Sequence, residues 1–444
     1  MSGHRTAHSD LRIATMRARE ILDSRGTPTI EVEVRLTGGA RGRAAVPSGA
    51  STGSREAVER RDGDAKRYRG RGVQHAVADV ATVIGPALRG LAADDQAAVD
   101  RALCELDGTP QKRRLGGNTL VGVSLAVARA VTAALGVPPY QAFGGTDPPA
   151  LPVPMLNVLN GGRHAAGGLD FQELMIVPRS AESFGEALRA SVETYWALRD
   201  LLTERGLPTE VGDEGGFAPR LPSVEEGLTA VVTAIERAGY RPGEDIALAL
   251  DPAASEFHQE RRYVLARSGG ARLSSAEMID WYRRLVGAYP IVSIEDGLGE
   301  TDWAGWKRLT TALGAKVLLV GDDLFVTNAE LIRRGTAEGV ANAVLIKPNQ
   351  VGTVTETLEA IQAARAAGYR IVVSHRSGET EDTTLADFAI AVGAEFIKTG
   401  APCRGERIAK YNRLLRIEEA LGPAARYRGR DAFHAGASEK DTGA

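Results

Sequence analysis

The sequence predicts an α/β protein in which a smaller α+β domain precedes a TIM-type, eight-fold βα barrel. In the later two thirds of the chain, short apolar runs recur, and each is followed by a stretch with helical periodicity. Six ionisable residues lie at or near the ends of these runs, at intervals of 23 to 44 residues, about the length of one βα unit. Such residues meet at the carboxyl-terminal face of a TIM-type barrel, where enzymes of this fold carry their chemistry.

The composition is typical of a globular enzyme and gives no support for a nucleic-acid-binding or disulfide-rich protein. The chain has 444 residues, of which 43% are apolar and 25% charged, as is typical of a globular enzyme with two or three domains. Lysine and arginine total 54 and aspartate and glutamate total 57, so the net charge of -3 gives no support for nucleic-acid binding. Cys104 and Cys403 are isolated in the sequence, which argues against a disulfide framework or a thiolate metal site and favours a reducing, cytoplasmic location.

We expect neither a signal peptide nor a membrane-spanning helix. The first ten residues carry charges, and no apolar region follows them. The most apolar long stretch, residues 121–137, contains Ser124, Arg129 and Thr132, and it is shorter than the roughly 20 residues that a spanning helix needs.

The first third of the chain has the pattern of an α+β domain. Residues 30–36 alternate apolar and charged side chains, which predicts a strand with one exposed face. A turn at Gly38 and Gly39 leads into a second apolar stretch, so the two strands form an antiparallel hairpin. Helical periodicity follows over residues 73–106 and 118–135.

A segment rich in glycine and proline, residues 142–154, predicts the connection between the two domains. The predicted organisation is a flexible N-terminus at 1–10, an α+β domain at 11–145, a barrel domain at 146–428 and a flexible C-terminal tail at 429–444. Seven apolar runs predict barrel strands near residues 175, 248, 293, 320, 345, 373 and 397.

Three of the strand-end residues are carboxylates and predict a metal site. Asp251, Glu295 and Asp322 follow successive apolar runs, and their charges would repel one another unless a cation lay among them. Oxygen ligands favour Mg²⁺ or Mn²⁺ over zinc. Taken singly, each acid could instead cap the helix that follows its strand.

Lys347 ends the next apolar run and would face the same site. A lysine with the reference pKa of about 10.4 needs a downward shift of roughly three units, about 4 kcal/mol, to act as a base near neutral pH. Burial, the neighbouring Lys398 and a dication would all lower the pKa. Such a base suits removal of a proton adjacent to a metal-bound carboxylate; the alternative role is a permanent salt bridge with one of the acids.

Long motifs in this chain resemble those of the enolase family from about residue 13 to residue 421. The matching motifs are AREILDSRGTPTIEVEV (18–34), VPSGASTG (46–53), LGGNTLVGVSLAVARA (115–130), VPMLNVLNGGRHA (153–165), FQELMIVP (171–178), VGDEGGFAP (211–219), SIEDGL (293–298), GDDLFVTN (321–328), IKPNQVGTVTET (346–357), VSHRSGETED (373–382) and KTGAPCRGERIAKYN (398–412). Because so many motifs occur in the same order, the resemblance covers nearly the whole chain.

The resemblance implies a small domain that caps a modified barrel, and reversible dehydration of 2-phosphoglycerate to phosphoenolpyruvate. Lys347 would remove the C2 proton and Glu214 would protonate the departing C3 hydroxide. A lysine base with one or two Mg²⁺ ions is the established pattern of this superfamily. By resemblance the three acids named above hold the first Mg²⁺, Ser51 helps to hold a second, and Mn²⁺ can substitute.

The remaining site residues are also implied by resemblance. Glu173 and Gln172 line the site, and the charge of Glu173 would raise the pKa of Glu214. Arg376 and Ser377 would bind the phosphate, to which a guanidinium fork is suited. Further contacts to the substrate carboxylate, the phosphate and the leaving group are implied for Lys398, His164 and His375.

Two glycine-rich loops, and several departures from the motifs of the family, bear on the rate of turnover. Residues 48–53 and 160–168 are rich in glycine, as in loops that close over a substrate. Residues 165–169 read Ala-Ala-Gly-Gly-Leu, where many relatives have a more polar stretch. Thr27, Gly117 and Gly299 also depart from the family pattern. These departures leave open a secondary copy of the enzyme with altered kinetics.

Two alternative functions stay open. One is another acid dehydratase or lactonising enzyme of the same superfamily, and the other is a non-catalytic binding or surface protein built on the same scaffold. Retention of Lys347, Glu214 and the three acids favours an active enzyme. The resemblance further implies a homodimer or octamer with a small-molecule substrate and with no nucleic-acid or membrane partner; degradosome or cell-surface partners cannot be read from the sequence.

Overall fold

The first domain is built on an antiparallel sheet of three strands in the order β1-β2-β3. The computed structural model describes residues 11–50, 52–144, 149–165 and 168–433. The strands of this domain are β1 (Ile13–Leu22), β2 (Pro28–Leu36) and β3 (Arg41–Ala45), and its α-helices are α1 (Gln74–Asp79), α2 (Gly85–Leu88), α3 (Gln96–Asp107) and α4 (Gly117–Leu135). The predicted β2-β3 hairpin is confirmed. The helical periodicity predicted over 73–106 is divided among α1, α2 and α3, because the chain leaves helical geometry after α2 at Arg89 and the left-handed Gly90.

Helix α4 packs directly on the sheet. A Cβ atom at Gly42 of β3 would lie 2.1 Å from the carbonyl oxygen of Ala126, so only glycine permits this approach. Among the described residues, α4 is the one helix long and apolar enough to span a membrane, but 72% of it is buried inside the protein. The burial explains the apolar composition, since a helix that is apolar on all sides belongs in a core.

The second domain is a closed barrel with the strand order β11-β12-β13-β14-β15-β5-β6-β7. The strands of the domain are β4 (Ala150–Leu151), β5 (Val153–Asn160), β6 (Glu173–Pro178), β7 (Ile246–Asp251), β8 (His258–Gln259), β9 (Arg262–Leu265), β10 (Ala271–Leu273), β11 (Ile291–Glu295), β12 (Leu318–Gly321), β13 (Ala343–Ile346), β14 (Arg370–Ser374), β15 (Phe396–Lys398) and β16 (Arg426–Tyr427). The predicted TIM-type α/β fold is therefore confirmed.

The barrel departs from regular βα alternation at its start. Strand β6 runs antiparallel to both β5 and β7, whereas the other neighbouring pairs are parallel. Strand β5 was not among the seven predicted runs; the described residues of its connection to β6 form no α-helix, and two helices then lead from β6 to β7. This arrangement is the modified barrel that the resemblance implies.

Helices surround the barrel, and most begin at a side-chain cap. Their bounds are α5 (Phe184–Glu204), α6 (Val224–Arg237), α7 (Ser275–Ala288), α8 (Trp303–Leu313), α9 (Ala329–Glu338), α10 (Val354–Ala366), α11 (Thr384–Ala391) and α12 (Gly405–Leu421). The N-cap side chains that accept a backbone N–H are Ser183, Ser223, Ser274, Asp302, Asn328 and Thr353. These caps fix where each helix starts after its strand or loop.

The domains contact one another through buried polar side chains. Asp100 of α3 accepts hydrogen bonds from the backbone N–H and the hydroxyl of Thr355 at 2.9 and 2.7 Å. Lys112 Nζ lies 2.7 Å from Glu356 Oε1. The start of α10 in the barrel is therefore attached to the first domain.

The C-terminal end of the described chain also packs on the barrel. Residues Gly429–Phe433, which the sequence placed in the tail, form a 3₁₀ turn. Ala432 is buried, and the ring of Phe433 meets that of Phe396 edge-on at 5.1 Å between centroids. The predicted N-terminal segment 1–10 and the rest of the tail lie outside the described residues.

Candidate active site

The mouth of the barrel gathers the six strand-end residues. Asp251, Glu295 and Lys398 are the last residues of β7, β11 and β15. Asp322, Lys347 and His375 directly follow β12, β13 and β14. Because these strands are parallel, their carboxyl ends open at one face, and the predicted residues meet there.

Glu173 reaches the same mouth from the opposite chain direction. It is the first residue of β6, and the antiparallel register places it opposite Asn160 of β5 and Asp251 of β7. Because β6 starts at the mouth, its first residue supplies a carboxylate there, whereas the parallel strands supply theirs from their carboxyl ends. The reversed strand was not predicted from the sequence.

Lys398 is the central cation of the site. Its Nζ lies 2.9 Å from Asp251 Oδ2, 2.9 Å from Glu295 Oε2 and 3.2 Å from Glu173 Oε1. Burial alone would lower the pKa of Lys398, but the surrounding carboxylates, Asp251 foremost, raise it well above its usual value. Lys398 is therefore an ammonium whose charge offsets part of the acidic cluster.

Lys347 forms an ion pair with the third acid. Its Nζ lies 2.5 Å from Asp322 Oδ2, and Gln350 Nε2 donates to Asp322 Oδ1 at 2.8 Å. The expected lowering of the Lys347 pKa is not found: burial lowers it, but the charge of Asp322 and then of Glu295 outweighs burial and raises it. In this structure the salt-bridge alternative applies, since a carboxylate at contact distance stabilises the ammonium.

The three predicted metal ligands supply the donor type that a divalent cation prefers, although Lys398 and Lys347 lie against their oxygens in this structure. Asp251, Glu295 and Asp322 are buried and present only oxygen atoms, the donors that Mg²⁺ prefers. Burial first, and then the charges of Asp251 and Asp322, raise the pKa of Glu295. This unfavourable concentration of negative charge is what a dication bound by the three carboxylates would relieve.

A neighbouring acidic group orients the backbone beside Asp322. Carboxylate oxygens of Asp296, Asp322 and Asp323 lie within 4.8 Å of one another. Asp296 accepts the backbone N–H groups of Asp322 and Asp323 at 3.0 and 2.8 Å. Asp296 is thus occupied in fixing the turn after β12, and the sequence analysis had not assigned it a role.

A second group of titratable side chains surrounds Glu214. Glu214 Oε2 lies 3.2 Å from His375 Nε2 and accepts from Asn157 Nδ2 at 3.1 Å. His164 Nδ1 lies between two carboxylates, 3.6 Å from Glu214 Oε1 and 3.7 Å from Glu173 Oε1. All five side chains are buried, so their charges act on one another with little screening.

The two carboxyl groups of this cluster have pKa values shifted in opposite directions. Burial, followed by the charge of Glu214, raises the pKa of Glu173 well above its usual range. Burial also opposes ionisation of Glu214, but His375 and His164 outweigh it and hold the pKa of Glu214 low. In this structure burial and the charge of Glu214 raise the pKa of Glu173, and the neighbouring histidines outweigh burial and lower that of Glu214; the role of Glu214 as the acid stays a prediction.

The predicted phosphate residues lie on the other side of the mouth, beside the first domain. The Arg376 guanidinium is buried and donates to Glu56 Oε2 at 2.8 Å and Oε1 at 3.2 Å. Ser377 Oγ accepts from the backbone N–H of Ala50 at 2.7 Å and from Arg25 at 3.2 Å. Glu56 was missed in the sequence, where its position just after the VPSGASTG motif is the only signal.

Two predicted contributions concern loops. Ser51, proposed for a second metal ion, lies outside the described residues. Gln172 is buried, and its Oε1 has no hydrogen-bond partner in the described part of the chain, which leaves an acceptor available in the site.

The loop that carries His164 is held through its backbone. Arg267 NH1 donates to the carbonyl oxygens of Leu169 at 3.0 Å and Ala165 at 3.3 Å, and the Arg267 N–H donates to Asp170 Oδ1 at 2.9 Å. A loop with few polar side chains is thus attached to the neighbouring hairpin by an arginine that the sequence did not single out. Residues 166–167 of the same loop lie outside the described residues.

Comparison with known protein families agrees with this architecture. Residues 13–143 match the family model for the enolase N-terminal domain, and residues 148–436 match the model for the enolase C-terminal TIM barrel domain. The two matches coincide with the α+β domain and the barrel, and they span nearly the whole chain. The chain therefore belongs to the enolase family.

Proposed function

We propose that this protein is a hydro-lyase that reversibly dehydrates 2-phosphoglycerate to phosphoenolpyruvate with Mg²⁺. The observation that carries the proposal is the division of one buried mouth into two parts. Lys347 and the carboxylates Asp251, Glu295 and Asp322 form one part, and Glu214 with its histidines forms the other. Elimination of water needs a base and an acid at separate atoms of the substrate, and the two parts supply them.

The base of the proposed reaction is Lys347. Its Nζ accepts the C2 proton, the released electron pair forms the C2–C3 double bond, and the C3–oxygen bond breaks. Asp251, Glu295 and Asp322 would hold Mg²⁺, which would supply stabilisation of the negative charge that develops on the substrate carboxylate. Lys347 must lose its proton first, which requires Asp322 to lie less close to Nζ than the present 2.5 Å.

The acid of the proposed reaction comes from the Glu214 group. Hydroxide is a poor leaving group, so a proton must reach the C3 oxygen as the bond breaks. Burial and the charge of Glu214 raise the pKa of Glu173 well above its usual range, from which we infer that Glu173 carries a proton, and His164 lies between Glu173 and Glu214. We propose that this proton is delivered to the C3 oxygen through Glu214.

Specificity for a phosphorylated substrate follows from Arg376 and Ser377, on the side of the mouth beside the first domain. Arg376 presents a planar guanidinium, and Ser377 a hydroxyl, where the first domain meets the barrel. In the proposed complex the phosphate replaces Glu56 as the partner of Arg376, because a guanidinium fork binds phosphate and carboxylate in the same bidentate manner. This feature favours 2-phosphoglycerate over the unphosphorylated acids of other dehydratases in the superfamily.

The test is an ultraviolet assay for phosphoenolpyruvate with 2-phosphoglycerate and Mg²⁺. We expect product formation with 2-phosphoglycerate and none with glycerate. Turnover of glycerate at a comparable rate would favour another dehydratase, and no turnover of either acid would favour a non-catalytic scaffold. An Arg376→Lys variant keeps the charge but loses the fork, so it should raise the KM for 2-phosphoglycerate.

A further inference from the structure

Arg407, on the first turn of α12, is the most deeply buried cation outside the groups already assigned. Its residue has 0% exposure. One terminal nitrogen lies 2.6 Å from His375 Nδ1 and donates to the Arg376 carbonyl oxygen at 2.6 Å. The other donates to the carbonyl oxygens of Asp213 at 3.1 Å and Ser377 at 2.5 Å. Arg407 therefore joins the segment that carries Glu214 to the segment after β14.

The contact with His375 fixes where the imidazole proton lies. A guanidinium has donors only and stays charged in proteins, so the nitrogen that faces it must offer a lone pair. His375 Nδ1 is that nitrogen, and a neutral imidazole then carries its proton on Nε2. Burial lowers the pKa of His375 to about 4, in agreement with a neutral ring at neutral pH. The protonated Nε2 lies 3.2 Å from Glu214 Oε2.

We propose that Arg407 is a positioning residue that holds His375 in the Nε2-protonated tautomer, so that the imidazole presents an N–H and not a lone pair beside Glu214. The Nε2 atom lies 3.2 Å from Glu214 Oε2 without hydrogen-bond geometry in this structure, so Arg407 makes the donor available to Glu214 while Oε1 faces His164. The consequence for dehydration rests on the proposed function, whereas the tautomer of His375 does not.

A purely structural role makes a different prediction. If Arg407 only bonded the carbonyl oxygens of Asp213, Arg376 and Ser377, its loss would lower stability without changing the imidazole tautomer in the folded protein. If it also sets the tautomer, its loss leaves Nδ1 without a donor, and the proton becomes free to occupy either ring nitrogen.

The first test is the ¹⁵N NMR spectrum of the full-length protein labelled at histidine, with the His375 signals assigned by a His375→Gln variant. We expect a protonated Nε2 and an unprotonated Nδ1 at neutral pH. A proton on Nδ1, or on both nitrogens, would overturn the proposal. This measurement needs no substitution at Arg407 and no substrate, so its outcome is independent of both folding of a variant and the proposed function.

The second test compares Arg407→Met with Arg413→Met, a control on the same helix whose arginine pairs with Asp387 outside the site. The folded fraction of Arg407→Met should show both tautomers, and its dehydration rate should fall at least about tenfold. Exchange of the C2 proton with solvent, which depends on Lys347, should fall by much less. A single Nε2-protonated tautomer in the variant, or an equal loss of exchange and dehydration, would contradict the proposal. If Arg407→Met does not fold, Arg407→Lys provides the same comparison with a single donor nitrogen.

Discussion

The buried lysines of the site lie against carboxylates whose charges they offset. Lys398 contacts Asp251, Glu295 and Glu173, and Lys347 contacts Asp322. Removal of one partner of a buried ion pair leaves the other charge uncompensated, which costs about 3–5 kcal/mol. Each substitution in this group therefore needs a stability measurement beside the activity measurement.

Lys347→Ala should abolish exchange of the C2 proton of 2-phosphoglycerate with deuterated water. Removal of a general base lowers turnover by about 10²- to 10⁴-fold. NMR of recovered substrate measures the exchange, and Lys316→Ala, at an exposed lysine, is the control. Exchange near the wild-type rate in folded Lys347→Ala would remove Lys347 as the base.

His375 should make stability depend on pH. Its pKa is about 4 in the folded protein and 6.5 in the unfolded chain. Between pH 4 and pH 6.5 the unfolded state therefore binds a proton that the folded state does not bind. The free energy of unfolding therefore falls as pH decreases from about 6.5 to about 4, by on the order of 3 kcal/mol. It is unaffected by this group above that window.

Urea unfolding of wild type and His375→Gln across this pH range measures the effect. The difference in slope between the two proteins reports the titration of His375 together with its effect on the pKa of Glu214. His75→Gln, at a side chain that is 63% exposed, should keep the wild-type slope. Equal slopes for wild type and His375→Gln would contradict the prediction.

The sequence predicted which residues lie at the mouth of the barrel, but not which side chains from distant segments contact them. Asp251, Glu295 and Lys398 end apolar strands, which is a local signal. Glu56 and Arg407 meet the site only through contacts between distant segments, and no local pattern indicates such contacts. The raised pKa of Glu173 depends on burial and on its closeness to Glu214, which the sequence does not contain.

At the scale of elements, a continuous apolar run predicted a barrel strand where both faces of the strand are buried. Strand β5 was missed because Pro154, Asn157 and Asn160 interrupt its apolar pattern. Two of these polar residues serve the site: Asn157 donates to Glu214, and Asn160 pairs with Glu173. The direction of β6 could not be predicted, since an apolar run looks the same in either direction.

The start of α10 gives a test of the contact between domains. Asp100 accepts from Thr355, and Ser124 Oγ accepts from the backbone N–H of Val354 at 3.0 Å and donates to Asp100 at 2.6 Å. Asp100→Ala leaves the buried hydroxyl of Ser124 and the part-buried donors of Thr355 without their partner, and an unsatisfied buried group costs about 1–3 kcal/mol. We expect this loss in the free energy of unfolding measured by urea titration.

Asp95→Ala is the matched control for that prediction. Asp95 caps α3, the helix that carries Asp100, by accepting from Ala98, at an exposed position. Loss of such a cap costs about 1 kcal/mol. An Asp100→Ala variant no less stable than Asp95→Ala would show that the interdomain bonds contribute little.

At the scale of the whole molecule, a net charge of -3 concealed how charge is distributed. Domain order, the α/β class and the barrel were predictable from apolar runs and long motifs. The polar contacts between domains were not, because they depend on packing between segments far apart in sequence.

Mg²⁺ should stabilise the folded protein. A ligand that binds only the native state adds about 2.7 kcal/mol when present at 100 times its dissociation constant. We expect Mg²⁺ to raise the Tm of wild type. EDTA should reverse this rise and abolish activity. In Glu295→Gln the rise in Tm caused by Mg²⁺ should be smaller. Asp280→Asn, at a side chain that is 62% exposed, should respond as wild type does. A Tm indifferent to Mg²⁺ at all concentrations would contradict the three-carboxylate site.

The reversed strand β6 has a consequence for the order of folding. Because β5 and β6 form a hairpin, Asn160 and Glu173 come together through contacts that are short in sequence. The contact of Lys398 with Asp251 instead spans 147 residues. Contacts of low sequence separation form sooner, since less chain entropy is lost in closing the loop. The hairpin side of the mouth can therefore assemble early, while the lysine side must wait for the last barrel strand.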